Sequence, residues 1–149
     1  MKKRPVPASA AMPRSQIVIY ALVALISLAG LADATYLTAQ TLSGETMVCG
    51  GSPDCFKVLG SRFSHIGSIP LALFGAIAYF TVFSLAILAA FGYAKVRRFL
   101  LITIWSMFAV TLWLLYDQAF IIHAFCRYCL FSAAMVFLLA GLIAASRAP

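Results

Sequence analysis

The chain has 149 residues, of which 64% are hydrophobic and only 10% are charged, and its mean hydropathy is +1.01. Soluble domains carry roughly 45–50% apolar and about 25% charged residues, so the composition excludes an ordinary soluble domain and a disordered protein. The net charge of +7 does not indicate nucleic-acid binding, because the basic residues cluster at the ends of apolar runs. The sequence therefore predicts a small polytopic membrane protein.

Four apolar segments are long enough, or nearly so, to cross a bilayer as helices, which takes about 20 residues. The predicted spans cover residues 17–38, 69–92, 99–116 and 125–145. Residues 1–15 form a tail, residues 39–68 a long loop and residues 117–124 a short connection. We therefore predict an all-α fold, a four-transmembrane-helix bundle, that occupies residues 16–149.

The basic residues indicate how the bundle is oriented. Eight of the eleven lie before the first span, between the second and third spans, or after the fourth, and the exceptions are Lys57, Arg62 and Arg127. The positive-inside rule then places both termini in the cytoplasm and residues 39–68 outside. All four acidic residues fall on or near that outer side, namely Asp33, Glu45, Asp54 and Asp117. We predict a multi-pass protein of the cell inner (cytoplasmic) membrane.

The N-terminal segment has a second interpretation. Residues 1–34 have the basic start, the apolar run and the small-x-small pattern (Ala32-Asp33-Ala34) of a cleaved signal peptide. The basic region is long for a signal, and cleavage would leave three spans with the new N-terminus outside. We therefore keep the first span.

The four cysteines all lie on the predicted outer side. Cys49 and Cys55 are in the long loop, and Cys126 and Cys129 form a Cys-x-x-Cys motif at the outer end of the fourth span. An even number of cysteines on the face where disulfides persist indicates redox chemistry or structural bridges. A disulfide across the five residues of the loop pair would stabilise the fold little, because the entropic effect grows with loop length. A structural bridge and an exchangeable disulfide both remain open for that pair.

The Cys-x-x-Cys motif at a helix start is the stronger signal. Residues three apart share a helix face, and both the helix N-terminus and Arg127 favour the thiolate. Zinc would need all four sulfurs as thiolates on an oxidising face, and haem attachment would need histidine where Leu130 stands, so we predict no metal. Simple packing of two small side chains is the remaining alternative. Two such dithiols can pass two electrons by thiol–disulfide exchange, and the natural acceptor in a bilayer is a quinone.

The order of the motifs resembles the vitamin K epoxide reductase family, in particular its bacterial quinone-linked members without a fused thioredoxin-like domain. The matching features are the Cys-x5-Cys loop, Ser61-Arg62 after it, Gly67-Ser68-Ile69-Pro70 before the second span, the segment 74–79 and the final Cys-x-x-Cys. The DsbB-type oxidases carry their cysteine pairs in the reverse order.

The resemblance implies a role for each cysteine. Cys49 would exchange with a separate periplasmic or extracellular DsbA-like or thioredoxin-like partner, and Cys55 would pass electrons to Cys126. Cys129 would face a quinone of the ubiquinone, menaquinone or phylloquinone type, with Ser61 near the quinone. The chain would then be a disulfide-forming, quinone-dependent oxidoreductase, with residues 16–149 as its redox domain.

Two other functions are weighed against this one. The first is a vitamin K or quinone reductase, including epoxide reduction, and the second is a non-enzymatic membrane protein with structural disulfides. Animal family members place polar side chains around the vitamin K ring at positions that align here with Leu71 and Ala133, which favours a plain quinone. His123, three residues before Cys126, is a candidate proton donor to the quinone, and an interfacial histidine is the alternative.

Overall fold

Four long helices dominate the computed structural model, which describes residues 12–43, 57, 62 and 65–147. Each helix is long and apolar enough to cross a membrane, which confirms the predicted all-α four-helix bundle. Cys49, Cys55 and Ser61 lie outside the described residues. The helices are α1 (Arg14–Ser43), α2 (Leu71–Ala90), α3 (Ala94–Tyr116) and α4 (Arg127–Arg147).

α1 and α3 extend beyond the apolar segments that predict them. α3 begins at Ala94 rather than Phe99, so its first turns carry Lys95 and Arg97. Long basic side chains can keep their charge in water while their stems follow an apolar surface. Hydropathy shows only where the apolar run ends. The backbone hydrogen bonds of the helix continue into the charged residues beside that run.

The helices pack in a closed ring. α1 makes its most extensive contacts with α2 and further contacts with α4, while α3 packs between α2 and α4. α1 and α3 are therefore diagonal to each other, as are α2 and α4. We call the buried cluster that all four share the main core, and it consists of Tyr20, Val23, Ala34, Ala76, Tyr79, Val82, Ala86, Ala89, Leu100, Ile104, Val136, Leu139, Ala140 and Ile143.

Two helices of the main core approach closely at Gly30 and Tyr79. A Cβ atom at Gly30 would overlap the Tyr79 ring, so glycine is what allows the ring to lie against the α1 backbone. Small residues serve this purpose at helix interfaces in membranes. The Tyr79 hydroxyl donates a hydrogen bond to the Ser132 carbonyl oxygen at 2.8 Å and lies 2.9 Å from Ser132 Oγ. Tyr79 therefore connects α1, α2 and α4.

A short antiparallel hairpin precedes α2, with β1 (His65–Ile66) paired to β2 (Ile69–Pro70). Its two-residue turn needs a positive φ, which Gly67 supplies at 66°. Pro70 then precedes the first residue of α2 in an extended conformation, where its missing N–H group is not needed. The hairpin lies where α1 ends and α4 begins, and we call this end of the bundle the cysteine end.

The connection from α3 to α4 differs most from the prediction. Within the predicted short connection 117–124, Asp117–Ile122 continue α3 as a π-helical turn. The turn buries Asp117 and Gln118, which are 1% and 5% exposed. It ends at His123, whose φ of 55° is left-handed, and the Ala124 N–H donates to the Gln118 carbonyl oxygen at 3.1 Å. π-helical turns are frequent at functional sites.

Candidate functional site

The cysteine pair lies at the start of α4. Cys126 precedes the first helical residue, and its carbonyl oxygen accepts from the Leu130 N–H at 2.9 Å. Its own N–H donates to Gln118 Oε1 at 3.3 Å, so the π-helical turn holds the beginning of the motif. Cys129 follows on the same helix face, and the two sulfurs are hydrogen-bonded to each other. This spacing allows the pair to cycle between dithiol and disulfide.

The position of Cys126 favours its thiolate. The hydrogen bond from the Cys129 thiol holds the pKa of Cys126 well below its usual range, against the effect of burial. The backbone N–H groups of Cys129 and Tyr128 act in the same direction as the thiol, as expected at a helix N-terminus. Because the thiolate is the nucleophile in exchange, Cys126 is the more nucleophilic sulfur of the reduced pair.

A cavity of about 150 Å³ lies beside Cys129 at the cysteine end. A cavity of this volume holds a single six-membered ring, since benzene binds in one of about 150 Å³. Gly75 lines the cavity, and Tyr79 lies one helical turn further along α2, so the cavity stops where the main core begins. Most of its wall is apolar, including Leu37, Pro70, Leu71, Leu114, Ile122 and Ala133.

The family follows from a match that covers most of the chain. Residues 21–144 match the model of the vitamin K epoxide reductase family. The chain belongs to this family. Its members are membrane oxidoreductases that use a quinone as electron acceptor or donor. The described residues fit such a group, because Cys129 of the Cys-x-x-Cys motif lines a ring-sized apolar cavity.

Some of the residues predicted from the family resemblance line the cavity, and others do not. Cys129, Leu71 and Ala133 are on its wall. Cys126 is fully buried in a small cluster with Leu37 and Ala124, at the side of the motif that precedes α4. His123 is exposed at the left-handed turn and is not part of the cavity wall, so its role in proton transfer stays a prediction.

Three polar residues of the site have no role in the sequence-based prediction. Asp33, Asp117 and Gln118 line the cavity, although the two acids served there only as topology markers. Ionisable side chains inside a span destabilise it and mark functional sites, so the position of Asp33 within the predicted first span already carried that signal. No three His, Cys, Asp or Glu side chains come together as metal ligands within the described part of the chain.

Proposed function

We propose that this protein is a membrane thiol oxidase that reoxidises a separate DsbA-like or thioredoxin-like partner and delivers the electrons to membrane quinone. The observation that carries the proposal is the position of Cys129, which is hydrogen-bonded to Cys126 and faces a ring-sized apolar cavity. A structural disulfide needs no such cavity. The same position supports an oxidoreductase over a membrane protein with structural bridges only.

In this proposal the two sulfurs of the motif have different roles. When the motif is oxidised, the Cys55 thiolate attacks its disulfide at Cys126, and Cys129 is released as the sulfur that meets the ring in the cavity. A bound quinone supplies a two-electron acceptor. Gln118 holds the Cys126 N–H, and Tyr79 holds Ser132 one turn beyond Cys129, so both ends of the motif are fixed against the bundle.

The loop pair completes the route. In this proposal Cys49 forms the mixed disulfide with the partner, the partner's second thiol resolves it, and the Cys55 thiolate that is released passes the electrons to Cys126. Both steps take place on the outer face, with Ser61 near the quinone and both termini in the cytoplasm. The route predicts that each partner disulfide formed yields one quinol.

A plain quinone fits the cavity better than an epoxide does. Leu71 and Ala133 lie on the cavity wall where the animal enzymes are expected to present polar groups to vitamin K. Apolar side chains at these positions leave an epoxide oxygen with two fewer donors. Vitamin K epoxide turnover is therefore expected to be slow or absent beside quinone turnover.

The direct test uses the purified full chain in lipid nanodiscs with a reduced DsbA-like protein and a short-chain ubiquinone or menaquinone analogue. Partner thiols and quinol absorbance are followed together, and the expected ratio is one quinol for each disulfide. The Cys129→Ser variant is expected to abolish quinol formation. Ser27→Ala is the matched control, because it removes a buried hydroxyl from α1 that bonds only its own helix, through the Ala24 carbonyl. Normal quinol formation by Cys129→Ser would contradict the proposal.

The partner step has its own test. Cys55→Ser is expected to trap a mixed disulfide between Cys49 and the oxidised partner, because the thiol that would displace the partner from Cys49 is gone. A membrane-impermeant maleimide is expected to label Cys49 in intact cells after reduction. Labelling that requires opening of the inner face would overturn the predicted orientation, and with it the oxidation of an outer partner.

A further inference from the structure

Two carboxyl groups reach the cavity without any partner for their buried oxygens. Oδ2 of Asp33 and both carboxyl oxygens of Asp117 are buried and have no hydrogen-bond partner among the described residues. Asp117 is 1% exposed, and both residues line the cavity that contains Cys129. A buried polar group that is left unpaired destabilises a fold, so two in one cavity point to a ligand that supplies the missing hydrogen bonds.

The two carboxyl groups approach the cavity from opposite sides. Asp33 is on α1, whereas Asp117 begins the π-helical turn that continues α3, and these two helices are diagonal in the bundle. A ligand between them therefore meets one acid at each end. A para-quinone ring carries its two carbonyl oxygens at opposite ends, which is the arrangement that two diagonal acids match.

Two other polar side chains on the wall, Thr41 and His65, are less suited to this role. Thr41 donates its hydroxyl to the Leu37 carbonyl at 2.7 Å, so that group is occupied within α1. His65 is the remaining titratable side chain on the wall besides Cys129, and it has an interaction of its own. Asp33 also lies close enough to Cys126 and Tyr79 to interact with both electrostatically.

We infer that Asp33 and Asp117 hold the two carbonyl oxygens of the quinone and hand them the protons that its reduction requires. The inference rests on the proposed function and assigns the proton route that the cysteines alone do not provide. When Cys126 and Cys129 form their disulfide, they release two electrons and two protons. The quinone takes up two electrons and two protons to become the hydroquinone, so the reaction balances without another reductant. A neutral carboxyl donates an O–H to a carbonyl oxygen, and its ionised form accepts a proton afterwards.

The test separates binding from proton transfer. Asp33→Asn and Asp117→Asn keep an N–H donor for a carbonyl oxygen but cannot transfer a proton. Each protein is reduced, freed of reductant and mixed with a short-chain ubiquinone analogue, and quinol formation is followed in a single turnover. Binding of the same analogue to the oxidised protein is measured by equilibrium dialysis in nanodiscs. Ser27→Ala serves as the control, since its side chain is on α1 but outside the cavity.

We expect both Asn variants to bind the quinone within about threefold of wild type, with a single-turnover rate lowered by about 100-fold or more. Asp33→Leu and Asp117→Leu remove the donor as well, so their affinity is expected to fall about tenfold. Asp117→Leu is also expected to raise the thermal unfolding midpoint without quinone and to shrink the rise that quinone causes. This stability readout is independent of turnover, and the Leu variants carry the prediction if an Asn variant does not fold.

Three results would overturn the inference. Wild-type rates in both Asn variants would show that the acids transfer no proton, while the proposed function would stand. A loss of rate in His65→Asn with unchanged rates in both Asp variants would assign the proton to His65 instead. A wild-type protein that neither binds nor reduces a quinone would remove the proposed function and the inference together.

Discussion

The main core and the cysteine end are both mostly apolar, but they differ in the regularity of the backbone and in whether buried polar groups have hydrogen-bond partners. In the main core the helices are regular, and buried hydroxyls such as that of Ser27 are satisfied within their own helix. At the cysteine end the backbone departs from the α-helix at Asp117–Ile122, turns left-handed at His123 and leaves carboxyl oxygens unpaired. The irregularities coincide with a cavity and with the reactive sulfurs.

This difference indicates that the main core stabilises the fold and that the cysteine end carries the chemistry. Regular, close packing in the main core holds the helices in place. The cysteine end can then carry unsatisfied groups and an open space that would destabilise an isolated segment. Changes in the main core should therefore alter stability, and changes at the cysteine end should alter reactivity.

The largest expected stability effect comes from a cavity in the main core. Leu139 is fully buried, so Leu139→Ala should lower the free energy of unfolding by about 2–5 kcal/mol. Its neighbour Leu138 is half exposed toward lipid, so Leu138→Ala is the matched control with a much smaller loss. Both are measured by denaturant unfolding in detergent micelles. Equal losses in the two variants would contradict the packing of α4.

The second largest loss of stability is expected where Gly30 of α1 contacts Tyr79 of α2. Gly30→Ala places a methyl group against the Tyr79 ring and should destabilise the protein by about 1–3 kcal/mol. Gly141→Ala is the control, because a Cβ there meets nothing within 4 Å. Thermal unfolding should separate the two variants, with Gly141→Ala at or above wild type because alanine favours a helix more than glycine does. A stable Gly30→Ala variant would mean that α1 and α2 are further apart.

The next prediction concerns the pKa of Cys126 and its rate of alkylation. Because the Cys129 thiol lowers the pKa of Cys126, Cys129→Ala should raise that pKa, whereas Cys129→Ser keeps a donor and should raise it less. The thiolate then forms only at higher pH, so alkylation of Cys126 near neutral pH should slow more in the Ala variant. The pH profile is measured with iodoacetamide in the Cys49→Ser, Cys55→Ser background. Identical profiles would refute the hydrogen bond between the sulfurs.

The smallest effect is expected from a single hydroxyl at the boundary of the two regions. Tyr79→Phe keeps the ring against Gly30 but loses the hydrogen bonds to Ser132, which should lower stability by about 1 kcal/mol. Tyr93→Phe is the control, since Tyr93 is exposed. Chemical unfolding that leaves both variants equal to wild type would mean that the Ser132 contact contributes nothing.

The sequence predicts the main core better than it predicts the cysteine end. Apolar runs suffice to predict four spans, because a bilayer imposes the helical conformation on any long apolar segment. The Cys-x-x-Cys motif also predicts its own position, at the start of α4. The π-helical turn was not predictable, because nothing in the hydropathy of residues 117–122 distinguishes it from a continued α-helix or a link. The burial of Asp117 and Gln118 depends on that turn, so their place in the cavity wall could not be predicted either.

The most direct test of the central claim is to locate the quinone. Nanodiscs that contain the oxidised protein are irradiated with a photoreactive azidoquinone, and the labelled peptides are mapped by mass spectrometry with and without excess unlabelled quinone. Competed labelling is expected in the cavity wall, between Asp33 and Thr41, between Pro70 and Gly75, and around Cys129. Competed labelling that is confined to the lipid-facing surface of α3 around Trp105 would contradict a quinone site at the cysteine end.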